Sequence, residues 1–191
     1  MNSLDVRGMA CPLPVVSVKR ALEAAPGELR VLLDDGAPRE NVKRFAQGRG
    51  YQVQEEPVEG GFACTISGSP KREAAAAERA GANVMLFGTD RMGDGPEELG
   101  RLLMKNFIMT LVELQEVPDR MLFVNSGVLL TVAGSEVLEA LEALGNRGVE
   151  VLSCGLCLDF FKKKEQLAAG GVTNMLTIAE SLLQARSVVR L

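Results

Sequence analysis

The spacing of apolar residues divides this chain into two stretches of different rhythm, separated by a run with almost no large side chains. In the first stretch, short strand patterns alternate with amphipathic ones. Leu4-Asp5-Val6 is a short strand candidate. From Pro12 to Ala25, the residues Val15, Val18, Ala21, Leu22 and Ala25 share one face of a predicted helix, with Lys19, Arg20 and Glu23 opposite. Pro26-Gly27 ends that helix. Leu29 to Leu33 predicts a second strand, closed by Asp34-Asp35-Gly36, and a second helix starts near Pro38, carries Val42, Phe45 and Ala46 at i, i+3, i+4 spacing, and stops at Gly48. Tyr51 to Glu55 and Phe62 to Ser67 predict two further strands joined across Gly60-Gly61. The order β-α-β-α-β-β implies a two-layer α+β domain over residues 1–68.

Residues 69–81 change character. Ser69-Pro70-Lys71-Arg72-Glu73, four alanines and Glu78-Arg79-Ala80 read as an interdomain linker, partly helical at most. Residues 82–191 then follow a strand–helix rhythm. Val84-Met85-Leu86-Phe87 is a continuous apolar run, as expected of a strand buried on both faces. A helix from about Pro96 to Leu114 carries Leu99, Leu103, Phe107, Leu111 and Leu114. Met121 to Val124 repeats the buried-strand pattern; Ser135 is placed to cap a helix bearing Val137, Leu138, Leu141 and Leu144, with Gly145 just past its end. Val149 to Leu152 is the next strand; after a short helix comes a longer one from Thr173 to Ala185, then a final Val188-Val189 strand. Strands separated by helices imply a mostly parallel sheet in a three-layer α/β domain, whose ligands gather at the carboxyl ends of the strands. Gly88-Thr89-Asp90, Asn125-Ser126-Gly127 and Cys154-Gly155-Leu156-Cys157 are expected to converge on that rim.

Composition narrows the chemistry. The chain has 191 residues, 47% hydrophobic and 24% charged, enough to bury a core. Its net charge of −4 argues against nucleic-acid binding by bulk electrostatics. No run approaches the ~18 apolar residues of a membrane span, and Met1-Asn2-Ser3-Leu4-Asp5 shows no signal-peptide pattern, so a cytoplasmic, reducing location is expected. Histidine is absent altogether, which removes Cys-His and Ser-His-Asp catalysis and His-ligated zinc. Chemistry must then run on thiols, carboxylates, amines and backbone dipoles, and a thiolate is the group best able to act without an imidazole base. No cofactor is expected.

Cys11 is the residue most suited to that role. In Cys11-Pro12-Leu13-Pro14, Pro12 disfavours helical geometry at Cys11, as an N-cap position requires, and both prolines are tolerated in the first helical turn. A sulfur at the positive end of a helix has a lowered pKa. Arg7 and Gly8 add a nearby cation and a permissive backbone. Cys64, on the Phe62/Cys64/Ile66 face of a strand, reads as core packing. Cys154 and Cys157 follow a buried strand; they suit a dithiol couple, or one of them packs under the rim. Half of a four-thiolate zinc site is the weaker alternative, because no second pair has matching spacing, so no metal is expected.

Leu4 to Pro14, with Leu33-Asp34-Asp35-Gly36-Ala37-Pro38 and the Gly50-Tyr51 approach to the third strand, resembles the TusA-like (SirA-like) sulfur-carrier family. The resemblance implies that Cys11 carries a persulfide. Leu122 to Val128 and Leu152 to Asp159 resemble the DsrE/DsrF-like family, which implies a three-layer α/β fold and assembly into homo-oligomers. The fusion of both halves resembles YedF-type proteins, described as sulfurtransferase-like and linked to selenium metabolism; Leu129 departs from that pattern, which often has lysine there. The expected function is carriage of sulfur or selenium on Cys11, received from a cysteine desulfurase or similar persulfide donor and relayed to a protein acceptor. Cys154 or Cys157 would receive the atom or resolve it. The alternatives are a non-catalytic binding or regulatory oligomeric module, and a Cys154/Cys157 dithiol oxidoreductase. Neither a nucleic-acid nor a membrane partner is expected.

Overall fold

The computed structural model describes residues 2–10, 12–25, 27–68 and 81–191. Cys11 and residues 69–80 of the expected linker lie outside the described residues. The chain divides into two compact units.

The N-terminal unit runs β1 (Asn2–Asp5), α1 (Leu13–Ala24), β2 (Leu29–Leu33), α2 (Ala37–Gly48), β3 (Gln52–Val58) and β4 (Gly61–Ser67), the predicted order. Its mixed sheet has strand order β1-β2-β4-β3, with β1 and β2 parallel and the other pairs antiparallel. The two-residue period of β2 explains the layering. Leu29, Val31 and Leu33 are buried in one core with Val15, Val18 and Leu22 of α1 and Val42, Phe45 and Ala46 of α2. Arg30, at an alternate position, forms an ion pair with Glu56 of β3 at 2.6 Å. One face is therefore apolar and helix-covered, the arrangement that α+β patterning requires.

The C-terminal unit runs β5 (Asn83–Phe87), α3 (Glu97–Glu113), β6 (Arg120–Phe123), a 3-10 turn over Asn125–Thr131, α4 (Leu138–Asn146), β7 (Glu150–Cys154), α5 (Gly155–Phe160), β8 (Gly171–Thr173), α6 (Met175–Leu183) and β9 (Ser187–Arg190). Its five strands are all parallel, in the order β8-β7-β6-β5-β9. All of β6 is buried, which only coverage of both sheet faces provides. Phe87 and Phe123, opposite each other in register, stack with ring centroids 4.6 Å apart. Arg120 is a buried charge that is paired: its Nε donates to Glu150 at 2.7 Å and its guanidinium also reaches Ser181 of α6.

Three local expectations change. The helix α3 buries Gly100, Met104, Ile108 and Leu111, whereas Leu99, Leu103 and Leu114 are exposed. The cause is Gly100: a Cβ there would lie 3.0 Å from Arg91 Cβ and 3.3 Å from the Met92 carbonyl, and Met92 N–H donates to the Gly100 carbonyl at 2.9 Å. That close approach of the preceding loop rotates the helix one position from the stripe of largest side chains. The helix α4 starts at Leu138 with Val137 at its cap, and Ser135 instead accepts from the Val137 N–H at 3.4 Å; Gly145 lies inside the helix. The short strand β8 was not expected, and it occupies the start of the predicted Thr173–Ala185 helix.

The rotation of α3 separates two neighbouring side chains. Met104→Ala should cost about 2–5 kcal/mol of stability, while Leu103→Ala should stay within about 0.5 kcal/mol. Denaturant titration of the two variants measures the difference, and equal losses would contradict the burial of Met104 and the exposure of Leu103.

Candidate thiol sites of the two units

In the N-terminal unit the segment before Cys11 is a pinned turn. Val6 is buried and its N–H donates to the Leu32 carbonyl at 3.0 Å, extending the β1–β2 pairing. The Met9 N–H returns to the Val6 carbonyl at 3.3 Å, and Gly8, third residue of this turn, has φ +72°, a value that favours glycine. The Gly8 N–H donates to Asp34 Oδ2 at 2.6 Å, so the Asp34-Asp35-Gly36 segment holds the turn from below. Arg7 is committed elsewhere than to a passing anion. Its Nε and terminal nitrogen donate to the Asp5 carboxylate at 3.0 and 2.6 Å, and a third nitrogen reaches the Glu59 carbonyl at 3.3 Å. Hydrogen bonds from the Arg7 side chain first and the Arg7 backbone N–H second hold the Asp5 carboxyl down at about 2.

After Cys11, Pro12 takes the N-cap of α1 with φ −96° and ψ 8°, and Leu13 is the first helical residue. The helix thus starts one residue later than expected for a Cys11 cap, and of the two prolines only Pro14 lies within the first turn, where it is buried. No side chain caps this end. Met9, Ala10 and Leu13 are all exposed, Leu13 by 54%.

The C-terminal rim forms as the strand order requires. β7, β6 and β5 are neighbours, so the turns after Cys154, Phe123 and Phe87 share one end of the sheet. They touch: the Asp90 N–H donates to Ser126 Oγ at 3.4 Å, and the Asn125 N–H donates to Cys157 Sγ at 3.1 Å. A Cβ at Gly127 would fall on the Phe87 carbonyl and 3.4 Å from the Thr89 nitrogen, so there is no space for one. Asn125 has φ +51°, the left-handed region that asparagine tolerates better than most residues.

The cysteines differ sharply. Cys64 is fully buried, opposite Val31 and Glu55 in the sheet register, and its thiol is pushed up to about 11, by burial first and the Glu55 charge second. This is the core position expected of it. Cys154 ends β7 at the cap of α5 with 1% exposure, and burial pushes its thiol up to about 11, with the Cys157 side chain adding to the shift and the N–H groups of Cys157 and Leu156 opposing it. Cys157 is half-buried. The structure therefore brings Cys154 and Cys157 together. Their spacing had indicated the pair but not the Asn125 amide, whose only sequence signal was a polar turn after a strand.

Residues 2–68 match the family described as sulfurtransferase TusA. A Methanocaldococcus jannaschii protein named "Putative sulfur carrier protein" is 47% identical over 55 residues, which cover 28% of this chain and 73% of that protein. The chain belongs to the TusA family. Among solved structures, a SirA-like protein of Desulfitobacterium hafniense is 34% identical, with 36% of this chain and 99% of that one covered and a TM-score of 0.34. The YchN protein of E. coli is 18% identical, covering 58% of this chain and 99% of that one at a TM-score of 0.45. The TusA match coincides with the N-terminal unit from β1 to the end of β4, and so contains the Arg7-Gly8 turn and the Cys11-Pro12-Leu13-Pro14 segment.

Two consequences of thiol burial are measurable. Iodoacetamide at neutral pH should alkylate Cys157 well before Cys154 or Cys64, read by peptide mass; equal rates would contradict the burial difference. For Cys64, a folded pKa near 11 against 9.0 means that the fold favours the protonated thiol. That stability is present below the unfolded value and is lost as pH rises through about 9 to 11. The denaturation midpoint should fall across this window by more in the native chain than in Cys64→Ala.

Proposed function

We propose that this chain is a carrier of sulfur or selenium, which receives the atom as a persulfide on Cys11 and relays it to a protein acceptor in sulfur or selenium metabolism. The observation that carries this reading is the TusA match across residues 2–68, which contains the Cys11-Pro12-Leu13-Pro14 segment leading into α1. The transfer is thiolate exchange. Cys11 S⁻ attacks the terminal sulfur of a donor persulfide, the new S–S bond forms as the old one breaks, and the donor thiolate leaves. No imidazole is needed, consistent with a chain that has none.

The pinned turn supports the reading physically. Gly8, Asp34 and the Arg7–Asp5 pair hold the turn at residues 6–9, and pre-ordered backbone lowers the cost of docking a partner against those residues. Exposed Met9 and Leu13 border that position in sequence and offer apolar contact to a donor or acceptor protein. A cysteine desulfurase or similar persulfide enzyme is the donor we infer. The C-terminal unit, with Leu122 to Val128 and Leu152 to Asp159, is read as DsrE/DsrF-like, and the whole as a YedF-type fusion that assembles into homo-oligomers in the cytoplasm. Among the described residues, no helix is long and apolar enough to cross a membrane.

A binding or regulatory role has one observation in its favour: Leu99, Leu102 and Leu103 form an exposed apolar patch on α3. The two readings part at Cys11. After incubation with a cysteine desulfurase and cysteine, the native chain should gain one sulfur on the Cys11 peptide, and Cys11→Ser should gain none there. Absence of sulfur from that peptide in the native chain rejects the carrier. Leu13→Asp should slow loading from the desulfurase by about tenfold, on the scale of a single apolar interface contact, and leave loading from a small-molecule persulfide unchanged.

A further inference from the structure

The parallel sheet of the C-terminal unit ends on one side in a strand that nothing among the described residues covers. β9 pairs with β5 alone. Val188 and Val189 point to opposite faces by the two-residue period, yet they are 45% and 43% exposed and neither belongs to the core. The layers above and below the sheet therefore both leave this strand open. Other outer strands differ. β8 has three residues, of which Val172 and Thr173 are buried. β3 carries Glu55, Glu56 and Pro57, the charges and the proline that blunt an edge.

The hydrogen bonds to β5 show which backbone groups of β9 are open. The Leu191 N–H donates to the Leu86 carbonyl at 2.9 Å, and the Leu191 carbonyl accepts from the Gly88 N–H at 3.2 Å, so both groups of Leu191 turn towards β5. Strand alternation turns those of Val189 the same way, and aims the N–H and C=O of Val188 and Arg190 outward along the free edge. Arg186 and Arg190 bracket that edge. Both are exposed, and among the described residues neither guanidinium makes an ion pair.

We infer that β9 docks an extended acidic segment of a partner protein as an added strand, bonded to the backbone of Val188 and Arg190, with carboxylates four residues apart on Arg186 and Arg190. The inference goes beyond the carrier reading and needs neither Cys11 nor a rim thiol. Ladder bonds supply affinity in such an addition, and the guanidiniums supply the preference for acid. Val188 and Val189 give the added strand an apolar neighbour on each face. A second copy of this chain fits less well. Antiparallel pairing of β9 with itself would gather Arg186 and Arg190 of both copies along one ladder, where like charges oppose each other.

The test follows the fluorescence anisotropy of a labelled peptide, titrated with the full reduced chain. The peptide alternates threonine and valine and carries two glutamates four positions apart. The native chain should bind it, and added salt should weaken the binding. The same peptide with lysines for glutamates should bind about tenfold more weakly. Val188→Pro removes an outward N–H and no bond to β5, and should weaken binding about tenfold. Arg190→Glu leaves the backbone intact and should do likewise; it decides the question if Val188→Pro fails to fold. No binding by the native chain, equal binding of the two peptides, or undiminished binding by Arg190→Glu would overturn the inference. Self-association of the native chain that Val188→Pro abolishes, read by sedimentation and with no peptide bound, would give the edge to a second copy and overturn it too.

Discussion

A sulfur in this chain becomes nucleophilic only through what its surroundings do to the anion, because no imidazole exists to take its proton. Two forces remain. Desolvation raises a thiol pKa, and nearby N–H dipoles lower it. The fold applies the first to Cys64 and Cys154, both held near 11, and brings an amide of β6's following turn to Cys157. Among Cys64, Cys154 and Cys157, burial therefore separates two sealed thiols from one half-buried one.

Backbone position is fixed by close approaches that exclude side chains. At Gly127 a Cβ would fall on the Phe87 carbonyl, so the turn that supplies the Asn125 amide can lie against β5 only because the residue is glycine. Gly8 does comparable work in the N-terminal unit, where φ +72° lets the chain leave β1 and present its N–H to Asp34. The Gly127 turn is held by a close main-chain approach, and the Gly8 turn by its positive φ and the Asp34 carboxylate.

What was legible in the sequence follows from the same distinction. The strand β2 was read to its exact ends, Leu29 to Leu33, because alternation and flanking turn residues agree. The rim was legible because parallel strands joined by helices must end on one side. The face of α3 was not, since large apolar residues occupy both Leu99/Leu103 and Met104/Ile108 positions, and the deciding residue is Gly100, which carries no hydrophobic signal. The strand β8 was missed because its three residues are too few to show a period. Arg7 was read as a cation near Cys11, yet its charge is matched by Asp5 two residues away, a pairing that β1 geometry creates and residue spacing alone does not reveal.

A carrier has a requirement that an oxidoreductase does not: its loaded sulfur must survive a neighbouring thiol. Any accessible thiolate within reach would attack the persulfide and release sulfide, so a second cysteine is a hazard unless its ionisation is suppressed. Each unit contains a second cysteine, and each buries it. Cys64 lies within the N-terminal core and Cys154 beneath the C-terminal rim, both with their anions disfavoured by desolvation. A dithiol couple tolerates the same arrangement, since only its attacking thiol needs a pKa near ambient pH while its partner can be buried. The burial of Cys154 leaves Cys157 as the more accessible thiol of the Cys-x-x-Cys pair, in carriage and redox cycling alike.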